Sequence, residues 1–119
     1  MQKINIRNYW VYILLCENKN YYTGYTNDLK KRYRSHVLKI GKCKYTRSFK
    51  PITIAQCWKI KGDKSFAMKI ERYIKTLSRE DKQKIILRPS SLSSDSRVET
   101  ISKRQRLIYI SLTEKDKLS

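Results

Sequence analysis

Three β-prone runs in the first half of the chain define its hydrophobic pattern. Tyr9 to Cys16 is an unbroken run of aromatic and aliphatic residues, which is typical of a strand buried on both faces. The polar residues 17–20 favour a turn, so residues 21–25 are predicted to return as the second strand of a hairpin. A third run extends from Ile52 to Ile60. The pattern therefore predicts three strands.

Apolar residues between and after these runs recur at helical spacing instead. Leu29, Tyr33 and Val37 form one such stripe, a second stripe follows Asp63, and a third, shorter helix is predicted to end near Leu87. The resulting order is strand, strand, helix, strand, helix, helix. This order predicts an α+β domain, in which helices flank a small three-stranded, mainly antiparallel sheet.

The composition of the chain changes after residue 88. Residues 1–88 are predicted to form the folded domain, and residues 89–119 a Ser-rich linker and C-terminal extension. Residues 106–112 are apolar and β-prone, so they are expected to form either an extra strand or a short amphipathic segment docked on the domain.

Charge gives the first indication of a partner. The chain has 28 Lys and Arg against 10 Asp and Glu, a net charge of +18. Residues 1–88 carry 22 basic and 6 acidic side chains, whereas residues 89–119 carry 6 and 4. The positive field therefore belongs to the predicted domain, and such a field attracts polyanions, of which nucleic acid is the commonest. A solvated basic surface without a partner is the alternative, although the excess is larger than solubility requires.

Cysteine use and hydropathy exclude other classes. Cys16, Cys43 and Cys57 lack the spacing of a zinc site, and their odd number without a secretory signal predicts thiols that pack in a reducing cytoplasm. No long apolar run, leader or lipidation motif indicates a membrane partner.

The motif with the most information begins on the predicted hairpin. Tyr12 and the sequence Tyr22-Thr23-Gly24 lie on its two strands, and Arg32 and His36 lie one turn apart on the helix that follows. The order Tyr, Tyr-x-Gly, Arg-x3-His resembles the GIY-YIG nuclease superfamily over roughly residues 8–88. The small stand-alone members are more similar than the nuclease domain of excinuclease C. The resemblance implies the α+β fold described above and an endonuclease that hydrolyses DNA phosphodiester bonds.

The resemblance also implies one divalent ion, Mg²⁺ or Mn²⁺, held by a glutamate on a later helix, and Glu71 matches that position. Magnesium often takes only one or two protein carboxylates and keeps water and phosphate oxygens as its other ligands. The alternative is an ordinary surface bridge, because Glu71 and Lys75 are an i,i+4 pair. Glu71 is the only acidic residue between Asp63 and Glu80, which favours the metal role.

The remaining catalytic roles are also implied by the resemblance. Arg32 would clamp the phosphate, since a guanidinium is planar, bidentate and always charged. Tyr22 is the candidate general base, although a free phenol is a poor base at neutral pH. Tyr12 would position the water or the phosphate. His36 would relay a proton or bind the phosphate, so the choice of base between Tyr22 and His36 stays open.

Nucleic-acid binding outside the site is predicted for basic residues of the helix and of the basic loop, residues 42–50. Basic residues follow phosphates and aromatic residues can stack on unpaired bases. The predicted binding residues are Lys31, Arg34, Lys42, Lys44, Tyr45, Arg47 and Lys50. No base-reading helix is recognisable, so DNA structure is expected to direct cleavage more than DNA sequence.

Three positions depart from the family pattern. Trp10 replaces the glycine of the first motif, Tyr25 stands where excinuclease C has lysine, and Gln83 is only a loose match for a downstream asparagine. A non-catalytic DNA- or RNA-binding module that retains the fold is therefore the alternative. The retention of all five catalytic candidates favours an enzyme of DNA repair or recombination.

Overall fold

The computed structural model describes residues 7–38 and 49–118. Its strands are β1 (Asn8–Cys16), β2 (Tyr21–Thr26), β3 (Pro51–Lys61) and β4 (Val98–Thr100), and its helices are α1 (Leu29–Leu38), α2 (Lys64–Thr76), α3 (Arg79–Leu87) and α4 (Lys103–Leu118), with a short 3-10 helix at Pro89–Leu92. The strands pair antiparallel in the order β2-β1-β3-β4. The predicted α+β class is confirmed, and β4 adds a fourth strand to the three predicted.

The sheet separates two apolar clusters because successive residues of a strand point to opposite faces. Tyr12 and Leu14 of β1 pack with residues of α1 on one side, which we call the α1 face. Val11 and Ile13 pack with Ala67 and other residues of α2 and α3 on the opposite side, the α2 face. Both faces of β1 are thus buried, which explains its unbroken hydrophobic run.

Short polar side chains start the helices that carry the candidate residues. The Asp28 carboxylate accepts a hydrogen bond of 3.1 Å from the backbone N–H of Lys31 at the start of α1. Asp63 caps α2 by accepting from the N–H of Phe66 at 3.3 Å. Each cap satisfies a backbone donor that has no partner within the helix. Asp28 and Asp63 therefore fix the residues at which α1 and α2 begin.

Residues beyond 88 pack against both faces of the sheet. Val98 and Ile101 are buried, and the indole N–H of Trp58 in β3 donates to the carbonyl of Pro89 at 2.9 Å. The Arg106 guanidinium donates to the Gln56 side chain at 2.8 Å and so ties α4 to β3. Residues 106–112, predicted as a strand or a docked amphipathic segment, lie in α4. The division at residue 88 stays a prediction from composition.

Truncating Ile101 is expected to destabilise the whole fold. Ile101 is 3% exposed and packs in the cluster of the α1 face. Ile101→Ala should therefore lower the free energy of unfolding by about 2–5 kcal/mol, as measured by urea denaturation. Ile108→Ala in the helix α4 that follows is the control, because Ile108 is 52% exposed. Equal stabilities of the two variants would show that the C-terminal segment does not contribute to the core.

Candidate active site

A buried pair, Tyr12 and His36, forms the centre of the candidate site. A hydrogen bond of 2.9 Å joins the Tyr12 hydroxyl to Nε2 of His36. Tyr12 is 1% exposed and His36 is fully buried. His36 lies in the last turn of α1 and belongs to the stripe of that helix that packs on the sheet, together with Tyr33 and Val37. The helix stripe and the strand register thus bring together two residues that are 24 positions apart.

His36 is neutral at physiological pH. Burial, and after it the charge of Arg32, lowers the pKa of His36 from 6.5 to about 4. A neutral imidazole has one N–H donor and one acceptor nitrogen. Nε2 forms the hydrogen bond with the Tyr12 hydroxyl, so the ring gives this buried hydroxyl a partner without placing a charge in the interior of the α1 face.

Tyr22 lies beside this pair on the same face of the sheet. Its ring centre is 5.2 Å from that of His36, in an edge-on arrangement with an interplanar angle of 65°. Tyr22 is opposite Leu14 in the β1–β2 register, two residues from the pairing of Tyr12 with Gly24. Unlike Tyr12 and His36, Tyr22 is only half-buried. Of these three side chains, Tyr22 is therefore the one that reaches the surface.

The glycine of the second motif makes room for Tyr12. Gly24 lies directly opposite Tyr12 in the register. A Cβ atom at residue 24 would lie 2.5 Å from the Tyr12 hydroxyl oxygen and 2.7 Å from Cζ. Any other residue would displace the ring and with it the hydrogen bond to His36. The close approach that this glycine permits is thus to the protein's own tyrosine.

Arg32 lies on α1, one turn before His36, and is half-buried. It lines a polar cleft with Thr26 and Asn27, and an adjoining depression that also contacts Lys31. The spacing of one helical turn places its charge near the buried pair, where it contributes to the lowered pKa of His36. Tyr12, Tyr22, Arg32 and His36 are thus brought together at the α1 face, as four of the five predicted catalytic residues.

Glu71 lies on the other side of the sheet. It follows Ala67 by four residues and precedes Ile74 by three, and both of these are buried on the α2 face. The Glu71 side chain is 14% exposed, and its Oε1 lies 3.3 Å from Nζ of Lys75. The ion pair expected from the i,i+4 spacing is therefore present, and the carboxylate sits on the sheet-facing side of α2.

The helix α2 runs along the edge strand β2, and this relates Glu71 to the other residues. At one end, Lys64 lines the polar cleft with Tyr25. Beyond its other end, Arg79, the first residue of α3, stacks over the ring of Tyr21 at 4.8 Å. Glu71 lies midway in the sequence between these two contacts, so we expect it to face the middle of β2. In the described sheet β2 is an edge, so a substrate at that edge can reach both faces.

A single carboxylate fits a hard divalent ion at this position. Among the described residues, no group of three or more His, Cys, Asp or Glu could hold a metal ion. Magnesium does not need such a group, since water and phosphate oxygens supply most of its ligands. The Thr23 hydroxyl, on the same face as α2, is buried and has no hydrogen-bond partner within the described structure.

The predicted binding residues outside the site divide into two groups. Lys31 and Arg34 are exposed on α1, and Lys50 is exposed beside the β1–β2 turn, where its backbone N–H donates to Glu17 at 3.0 Å. Four of the predicted residues of the basic loop lie outside the described residues: Lys42, Lys44, Tyr45 and Arg47.

The lowered pKa of His36 gives stability a pH dependence of defined sign. The unfolded chain takes up a proton near pH 6.5, whereas the folded chain does so only near pH 4. Above pH 6.5 the imidazole is neutral in both states, so His36 does not affect the free energy of unfolding there. Between pH 6.5 and pH 4 the unfolded state binds more protons, so the free energy of unfolding depends on pH. It should fall by about 2–3 kcal/mol as the pH decreases from 6.5 to 4.5.

An NMR titration measures this pKa directly, because His36 is the only histidine of the chain. Its ring signals should stay those of a neutral imidazole down to about pH 5. A midpoint near 6.5 would contradict the burial of the ring.

Comparison with known proteins identifies the family. A model of the GIY-YIG catalytic domain matches residues 8–85, which include Tyr12, Tyr22, Arg32, His36 and Glu71. The chain belongs to the GIY-YIG family. The prediction made from the tyrosine, arginine and histidine motif is confirmed. The GIY-YIG domain is a nuclease domain, and its substrates are nucleic acids.

The GIY-YIG relatives of the chain are small stand-alone proteins called UPF0213. The UPF0213 protein BH0048 of Halalkalibacterium halodurans is 38% identical over 79 residues, which are 66% of this chain and 82% of the relative. The UPF0213 protein FN1575 of Fusobacterium nucleatum is 36% identical over 87 residues, 73% of this chain and 85% of the relative. The solution NMR structure of BH0048 covers 72% of this chain and 85% of its own, with 36% identity and a TM-score of 0.43.

Several residues around the GIY-YIG motif were not predicted as part of the site. Arg7, Tyr9 and Lys64 line the cleft with Arg32, although they belong to separate parts of the sequence. The alternation of side chains along the strands could have indicated Tyr9, because it places Tyr9 on the same face of the sheet as Tyr25.

Within the described residues, no helix is both long and apolar enough to cross a membrane.

Proposed function

We propose that the chain is a divalent-metal-dependent endonuclease that hydrolyses phosphodiester bonds of DNA in the cytoplasm. The structure of the DNA, more than its sequence, directs cleavage, and the physiological role is repair or recombination. The observation that carries the proposal is the buried Tyr12–His36 pair, held against Gly24 with Tyr22 and Arg32 beside it. In this arrangement Gly24 makes room for the Tyr12 ring, and His36 contacts both Tyr12 and Tyr22.

The exposure of the three aromatic side chains supports Tyr22 as the general base. A base must come within hydrogen-bond reach of the water from which it takes a proton. His36 and Tyr12 are both buried, whereas Tyr22 reaches the surface. Tyr12 and His36, on the buried side of Tyr22, then hold its ring in position.

Arg32 stabilises the charge that develops on the phosphate. Its guanidinium offers parallel donors that match two phosphate oxygens, and it lines the polar cleft. Preorganised donors of this kind need no reorganisation when the charge develops. Because Arg32 lies one turn before His36, a phosphate bound by Arg32 would lie near the two tyrosines that contact His36.

Glu71 is the residue that would hold the metal ion. When bound, the ion would polarise the phosphate and stabilise the leaving oxygen. The carboxylate is oriented by its place between buried residues of α2, and the more exposed Lys75 pairs with it. Because Glu71 and Arg32 belong to opposite faces, the scissile phosphate is expected at the edge of β2, where both can be reached.

A substrate panel tests the proposal. The protein is incubated with supercoiled plasmid, branched DNA, single-stranded DNA and RNA of matched length, with Mg²⁺, Mn²⁺ or chelator. Cleavage of DNA only in the presence of metal, and without a preferred sequence at the cut ends, is the expected result. Binding without cleavage in every condition would favour the non-catalytic module. Cleavage in chelator would overturn the metal dependence.

A further inference from the structure

The polar cleft that Arg32 lines has a volume of about 450 Å³. This volume lies within the range of about 300–1,000 Å³ that is typical of small-ligand sites. Its lining includes three cations, Arg7, Arg32 and Lys64, and two tyrosines, Tyr9 and Tyr25. None of the described residues that line it is acidic. The cleft therefore combines positive charge with aromatic surface.

The cleft passes around the end of the edge strand β2. Tyr9 and Tyr25 pack against the cluster of the α2 face, and Lys64 is the first residue of α2. Arg32 belongs to α1, on the other side of the sheet. A chain lying in the cleft would thus run from one face to the other at the edge where the scissile phosphate is expected.

Carboxylates near the cleft are engaged elsewhere. Asp28 accepts a hydrogen bond from the N–H of Lys31 at 3.1 Å. Asp63 accepts from the N–H of Phe66 and also lies 3.6 Å from the Arg97 guanidinium. Both carboxylates therefore cap helices, and in the described structure neither lies at salt-bridge distance from Arg7 or Lys64. The cleft keeps the charge of an anion site.

We propose that the cleft binds the nucleotide adjacent to the scissile phosphate, with Arg7 and Lys64 holding its phosphate. The rings of Tyr9 and Tyr25 pack against its sugar and base. Cations position nucleic acid by its phosphates, and aromatic rings stack on bases of any sequence. Because this rests on the proposed function for the class of substrate, the test measures binding separately from cleavage.

The phosphate contacts are tested by the salt dependence of binding. The probe is a fluorescent single-stranded DNA of about 12 nucleotides, titrated with protein in chelator so that it stays intact. Arg7→Gln with Lys64→Gln should make the slope of log affinity against log salt shallower by about 0.7, since one neutralised phosphate of a single strand contributes about 0.7. Arg32 is left in place, so the catalytic guanidinium is unchanged.

A matched control removes the same charge elsewhere. Lys103 and Arg104 are exposed on α4, and Lys103→Gln with Arg104→Gln should change the slope by less than half as much. Equal changes in the two double variants, or no change in the cleft variant, would overturn the proposal.

The aromatic contacts are tested with a modified probe. Tyr9→Leu keeps an apolar side chain in the cleft but removes the ring. It should weaken binding of the normal oligonucleotide by about 5- to 150-fold and leave binding of a fully abasic oligonucleotide unchanged. If both probes are weakened equally, the ring does not contact a base and this part of the proposal is wrong.

Failure of the subsite and failure of the proposed function give different results. If the wild-type protein cleaves no nucleic acid with any metal, the endonuclease proposal fails, yet binding in chelator still decides whether the cleft holds a nucleotide. If the wild-type protein cleaves DNA but the cleft variants bind like the control, the subsite fails and the endonuclease proposal stands.

Discussion

Replacing Glu71 with glutamine is expected to abolish DNA cleavage while the fold and DNA binding remain intact. The amide has the shape of the carboxylate but not its charge, so it is a poor ligand for a hard divalent ion. Glu71 is 14% exposed on the sheet-facing side of α2, and its shape is retained in the variant. The cleavage rate, the melting temperature and the affinity for the fluorescent oligonucleotide should be measured on the same preparation.

Lys75→Met is the control that separates the metal role from the ion pair. It removes the partner of Glu71 at 3.3 Å and leaves the carboxylate in place. A helix pair of this type contributes only about 0.3–0.5 kcal/mol, so Lys75→Met should retain cleavage. If Glu71→Gln cleaves as well as the parent, or if both variants lose cleavage equally, Glu71 is not the metal ligand.

Replacing Arg32 with alanine is expected to lower the cleavage rate by about 100- to 1,000-fold, the usual effect of removing one donor aimed at developing charge. Arg32 lies in the cleft and within electrostatic reach of His36, so its loss removes charge from the reacting region itself. Single-turnover rates with excess protein separate this effect from weaker binding. Arg32→Lys should recover only part of the rate, since an ammonium cannot make the bidentate contact.

Arg34→Ala is the matched control on the same helix. Arg34 is exposed, so this variant should weaken binding and leave the single-turnover rate nearly unchanged. A second readout does not depend on activity. Because the charge of Arg32 lowers the pKa of His36, this pKa should rise in Arg32→Ala and stay constant in Arg34→Ala. Equal effects of the two substitutions on rate and on this pKa would show that Arg32 has no special position.

The hairpin, the first three helices and the family could be predicted because their signals are local. The run from Tyr9 to Cys16 predicts β1, and the alternation within it places Tyr12 on one face. By contrast, β4 has only three residues and exists because Val98 to Thr100 pair with Trp58 to Ile60. Nothing in those three residues alone specifies a strand.

The helical state of residues 106–110 also depends on tertiary packing. These residues are β-prone, yet they belong to α4, where Tyr109 and Ile110 pack on the cluster of the α1 face. Burial on a neighbouring surface can override intrinsic propensity. The arrangement of side chains around Arg32 was unpredictable for a related reason, because Arg7, Tyr25 and Lys64 come from three separate parts of the chain.

The central claim is that metal and phosphate chemistry meet at the edge of β2, and Mn²⁺ titration followed by NMR tests it most directly. Paramagnetic Mn²⁺ broadens the signals of nearby nuclei, so the wild-type protein with a non-cleavable oligonucleotide should lose the amide signals of Thr23 and its neighbours in β2, together with those around Glu71. The same titration of Glu71→Gln should leave them sharp. Broadening centred elsewhere, or equal broadening in the variant, would contradict the account.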